Sequence, residues 1–95
     1  MDYELSFDQM EQIAGGTARK INTGTSDKAA IRSDPWIAKR NQIDALINGT
    51  IVKTINDELI FDPGSRRNFV KIRFINKYGD EAGGYVAASI VGLPR

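Results

Sequence analysis

The clearest hydrophobic pattern in the chain is Phe69-Val70-Lys71-Ile72-Arg73-Phe74, where apolar and charged residues alternate. A period of two puts Val70, Ile72 and Phe74 on one face of a strand and Phe69, Lys71 and Arg73 on the other. Four further short β-prone runs share the chain: Thr17–Ile21, Ala29–Arg32, Thr50–Ile55 and Tyr85–Ile90. In Thr50–Ile55 the two sets Val52, Thr54 and Ile51, Lys53, Ile55 do not separate cleanly, which predicts burial on both sides near the strand's end. Leu46, Val52, Val70, Ile72 and Val86 are the expected core.

Polar, turn-forming stretches separate these runs. Asn22–Asp27 reads as a loop, and Asn48-Gly49 as a tight turn in which glycine accepts a positive φ. Asp62-Pro63-Gly64-Ser65 is the strongest turn signal, and Asn76–Gly84, with three glycines, reads as a polar loop. Gly84 is expected to mark a bulge or a close backbone approach. The N-terminal segment has a different period. Phe7, Met10, Ile13 and Ala14 fit one helical face, Ser6 and Gln9 form a capping box, and Leu5 with Met10 suits a hydrophobic staple. Gly15-Gly16 supplies the stop, so one short helix is predicted over residues 6–14.

Composition narrows the chemistry. The 95 residues allow one domain, and 41% apolar with 26% charged residues is ordinary for a folded chain. There is no cysteine and no histidine. That removes disulfides, Cys/His zinc sites and any His base or Cys nucleophile. Asp57-Glu58 and Asp80-Glu81 are sequence neighbours in expected loops and read as solvated charge rather than a catalytic pair. No catalytic residue, metal or cofactor is expected, and the chain is read as no enzyme. The net charge of +1 conceals an asymmetry: residues 1–11 hold four acids and no base, whereas residues 12–95 hold thirteen bases against eight acids. The acidic start is not a secretory signal, and no apolar run is long enough to span a membrane.

The order of these strands and turns resembles the bacterial SH3 (SH3b) family over about Gly16 to Val91. The resemblance is carried by Ala30-Ile31-Arg32-Ser33-Asp34-Pro35, then by Ile43, Leu46, Gly49 and Val52 at the family's spacing. Asn68-Phe69-Val70-Lys71-Ile72-Arg73-Phe74 follows, with Asn-Phe where the family has Gly-Trp, and the best-matching piece is Gly84-Tyr85-Val86 leading to Val91. It implies an all-β fold: a small SH3-like barrel of five or more short strands over residues 16–95, after an acidic, helix-bearing segment 1–15. Two segments depart from the family pattern, Trp36–Gln42 and Leu59–Asn68, and both are longer than usual.

Loops carry specificity on rigid scaffolds, so the candidate binding residues come mainly from these departures. They are Trp36, Lys39 and Arg40 in the first, Arg66 and Arg67 in the second, with Phe69 and Tyr85 beyond. Trp36 is the only tryptophan and offers either a rigid contact surface or a lid on the core. The Arg66-Arg67 pair can grip a carboxylate or phosphate, or be a solvated loop tip. Tyr85 is open between a binding and a core role. The resemblance points first to a protein or peptide partner. The second reading is peptidoglycan, through its peptides. The third is nucleic acid held by Lys39, Arg40, Arg66 and Arg67, with Trp36 or Phe69 stacking on bases. As a full-length chain it is expected in the cytoplasm; as a piece of an exported protein, at the cell wall or outside the cell.

Overall fold

A computed structural model describes residues 15–95, so the helix expected over 6–14 lies outside the described residues. The described residues hold seven strands: β1 (Thr17–Lys20), β2 (Ala29–Arg32), β3 (Gln42–Leu46), β4 (Ile51–Thr54), β5 (Ile60–Asp62), β6 (Arg67–Ile75) and β7 (Glu81–Ala87). A 3-10 helix, Ala88–Val91, follows β7 directly, so the predicted strand Tyr85–Ile90 is half strand and half helix. The fold is mainly β, as expected. Two strands, β3 and β5, have no counterpart in the pattern read from the sequence.

All pairing is antiparallel, in one sheet of order β1-β4-β6-β7-β2-β3, with β5 also paired to β6. The sheet is open: among the described residues β1 and β3 end the path without pairing to each other. β3 and β4 are joined by the expected tight turn, with Gly49 at φ 94° and the Thr50 amide donating to the Ile47 carbonyl. They do not form a hairpin, because β4 pairs with β1 and β6 instead.

One sheet has no second layer to cover its apolar face, so it has to bend that face around itself. Ile21 and Val52 at one end of the sheet and Ala29, Ile31 and Leu46 at the other belong to a single buried cluster. Val70, Ile72, Phe74 and Val86 fill its middle, and Ala88 and Val91 of the 3-10 helix join it. The five expected core residues are all buried. β4 corrects one expectation. Val52 and Thr54 are buried, Ile51 and Lys53 are only partly covered and Ile55 is exposed, so the strand is buried on one side.

β6 and β7 pair through seven residues each, from Phe69↔Ala87 to Ile75↔Glu81. The loop expected over Asn76–Gly84 is therefore only a turn, Asn76–Asp80, whose Asn76 side chain accepts the amides of Tyr78 and Asp80. Its last residues are strand. Gly84 sits there because its backbone meets β2: a Cβ would lie 2.6 Å from Ile31 Cγ2 and 3.0 Å from the Arg32 carbonyl oxygen. The close approach expected at this glycine is present. At the β1 edge, Arg19 pairs with Asp57 of the β4–β5 connection, and Thr54 also donates to that carboxylate.

Candidate functional site

The first of the two unusual segments, Trp36–Gln42, is built around Asn41, a buried polar residue. Its side-chain amide donates to the Trp36 carbonyl at 2.7 Å. Its Oδ1 accepts from Arg32 Nη1 at 2.9 Å and from the Ala38 amide at 3.3 Å. Its carbonyl accepts the Ser33 amide at 2.8 Å. A loop has no ladder to satisfy its backbone, and here one side chain does that work. Trp36 is thereby held at the surface.

The second segment folds into the β5–β6 hairpin around Asp62. Its carboxylate accepts the Gly64 amide at 3.1 Å, the Ser65 amide at 3.2 Å and the Ser65 hydroxyl at 2.7 Å. The Arg66 amide donates to the Asp62 carbonyl at 2.8 Å, and Arg66 takes the left-handed φ of 57° that closes the turn. The backbone amide of Ile37, on the other loop, lies near enough to favour the charged form of Asp62. The Ser65 hydroxyl is the chief cause that holds this carboxyl below its ordinary range; partial burial opposes it, and the amides of Gly64, Ser65 and Ile37 reinforce it. One carboxylate thus shapes its own turn, and the Trp36 loop lies against that turn.

Between the loops runs an open groove of about 440 Å³ lined by Trp36, Ile37, Asp62, Gly64 and Ser65. Trp36 is 47% and Ile37 50% exposed, a large apolar surface for adjacent residues of a small domain. Trp36 is therefore a surface residue and no lid on the core. Lys39 and Arg40 stand exposed on one loop, Arg66 and Arg67 on the other, and no ion pair holds any of them among the described residues.

The structure separates the other two candidates from this group. Phe69 is 2% exposed, inside β6 between Ile60 and Ala87, so it has no face on which a base could stack. Tyr85 is half-buried on β7, opposite Lys71 and Arg32 on the sheet's outer face. Sequence reasoning missed Ile37, Asn41 and the turn-shaping role of the Asp62 carboxylate. The Asp-x-x-Ser spacing of Asp62 and Ser65 was a legible signal for the turn; nothing local marks Asn41.

A second cleft, of about 330 Å³, lies where the unpaired side of β3 faces the end of β6, with Leu46, Ile47 and Ile75 between Lys28 and Lys77. Its other polar side chains serve the fold: Asp44 accepts the Ala45 amide and Asn76 organises its own turn. Among the described residues no group of three acidic residues is placed to hold a metal ion, and no helix is long and apolar enough to cross a membrane. No protein-family model, curated protein or solved structure matches the chain.

Proposed function

We propose that the chain is a non-catalytic binding module of the bacterial SH3 type, with the bent sheet as its SH3-like barrel, and that it recognises a protein or peptide partner in the Trp36 groove. The observation that carries this reading is the groove between the two unusual loops, where Trp36 and Ile37 stand half exposed against the Asp62–Ser65 turn. A preorganised apolar contact of this kind loses little freedom on binding. The exposed Lys39, Arg40, Arg66 and Arg67 on the same loops favour a segment with an apolar residue flanked by acidic ones.

The test compares wild-type chain with Trp36→Ala in capture from cytosol, from purified peptidoglycan and from mixed single-stranded nucleic acid. A protein partner held by wild-type and weakened about thirtyfold in the variant, the scale of a binding hot spot, supports the proposal. The circular dichroism spectrum should be the same for both chains. Capture only on peptidoglycan, again dependent on Trp36, selects the cell-wall reading. Partner binding indifferent to Trp36 removes the groove from the function.

A further inference from the structure

The Trp36 groove suits an apolar residue flanked by acids, and the chain carries such a stretch at its own start. Asp2 and Glu4 flank Tyr3, Glu4 precedes Leu5, and Asp8 follows Phe7. Residues 1–11 hold four acids and no basic side chain. Lys39, Arg40, Arg66 and Arg67 border the groove with no ion pair among the described residues. Opposite charges of this kind draw two segments together and set their register.

Strand register decides whether the two can meet. Thr17, where β1 begins, pairs with Thr54 at the end of β4, and Thr54 pairs with Ile72 of β6. β4 then leads through the Asp57 connection into β5, whose Asp62 pairs with Arg67. Because β1 is antiparallel to β4, the chain enters β1 from the β5 side of the sheet, where the groove lies. From Ile72 to Arg67, β6 covers about 17 Å. A helix over residues 6–14, as the sequence predicts, is about 13 Å long, and Gly15-Gly16 adds roughly 7 Å. That length brings Leu5 and Tyr3 level with the Asp62–Ser65 turn. Gly16 fixes the point of departure, because a Cβ there would collide with the Thr54 carbonyl oxygen. The second cleft fits this segment less well. It lies by Ile47 and Thr50, near the far end of β1, where Lys20 pairs with Ile51, and Asp44 shares its lining with Lys28 and Lys77.

We propose, resting on the groove as the binding site, that residues 1–11 of the same chain fold back and occupy it. Tyr3 and Leu5 cover Trp36 and Ile37, and the acids face Lys39, Arg40, Arg66 and Arg67. The segment is then a built-in competitor that an outside partner has to displace. A tethered segment acts at an effective concentration in the millimolar range, so weak contacts are enough to fill the groove. The occupied fraction lowers the apparent affinity for the partner in proportion.

The composition makes the test clean, since Trp36 is the only tryptophan and the chain has no cysteine. A nitroxide on Ser6→Cys of the full chain should broaden the Trp36 indole resonance and the Gly64 and Ser65 amides in nuclear magnetic resonance spectra. Dilution should leave this broadening unchanged. Asp2→Lys with Glu4→Lys should remove it, and so should high salt. The same pair of substitutions should make Trp36 more open to acrylamide quenching and tighten capture of an outside partner about threefold to tenfold. The inference is overturned if the broadening is absent, is centred on Leu46, Ile47 and Ile75, or survives Asp2→Lys with Glu4→Lys. Broadening that fades on dilution overturns it in favour of a second copy supplying the segment. Equal Trp36-dependent capture by the wild-type and charge-reversed chains leaves the groove its function and sinks only the self-occupation. Occupation by the segment with no partner dependent on Trp36 does the opposite.

Discussion

The β6–β7 hairpin and the pair of loops around Trp36 are both ordered, and they are ordered by different physics. The hairpin is held by apolar burial shared with every other part of the core. The loops bury little, and two polar side chains, Asn41 and Asp62, hold them by satisfying backbone groups one at a time. Damage to the first should therefore spread through the domain, whereas damage to the second should stay local and show up in binding. This division lets a small domain change its recognition loops without renegotiating its core.

Phe74→Ala tests the hairpin most severely. Phe74 is the largest fully buried side chain among the described residues, and its removal should cost about 3–5 kcal/mol, enough to leave little folded protein. Urea denaturation followed by circular dichroism measures it; a loss under about 1 kcal/mol would mean a loose, adaptable core. Gly84→Val comes next. The added atoms meet Ile31 and the Arg32 backbone, and overpacking of this kind should cost about 1–3 kcal/mol. Insertion without cost would show that β7 can move away from β2.

Asn41→Ala leaves the Trp36 carbonyl, the Ala38 amide and the Arg32 guanidinium each short of a partner. The expected cost is about 1–2 kcal/mol, with Trp36 fluorescence shifting toward that of a solvated indole. If the emission keeps its wild-type wavelength, the loop has another anchor.

Acid should act on the second loop in the same local way. The folded state depresses the Asp62 pKa, so its contribution is complete well above the ordinary carboxylate value of 3.8 and fades as pH falls through the lower folded value. Trp36 emission should change in that acid range before the far-ultraviolet signal does, and Asp62→Asn should remove the early step. Simultaneous loss of both signals would deny the independence of the loop. Trp36→Ala should disturb stability least, within about 0.5 kcal/mol in a thermal melt, because the side chain is half exposed.

Much of the fold was legible. The alternation in Phe69–Phe74 identified the inward set Val70, Ile72 and Phe74, and Gly49 announced its turn, because both depend on neighbours in sequence. The errors have equally plain causes. Gly83-Gly84 reads as a loop when glycine is taken as a breaker, yet both lie in β7, one beneath Arg73 and one against β2. β3 was missed because Gln42-Ile43-Asp44-Ala45-Leu46 has no clean alternation. Register explains this: a shift between Ile31 and Arg32 leaves Ile43 without a partner, as a bulge does. β5 is three residues long and exists through its pairing with β6.

The sequence by itself determined a mainly β chain, its principal strand, its core residues and two atypical loops, because periodicity and turn chemistry act over a few residues. It also removed His and Cys chemistry outright. Tertiary structure decided everything that depends on which distant segments meet. It buried Phe69 although its parity matches Lys71, and it brought the Trp36 loop against the Asp62 turn. Side-chain parity is local, but strand order and register are fixed by burial of the whole sheet, and no short stretch of this chain contains them.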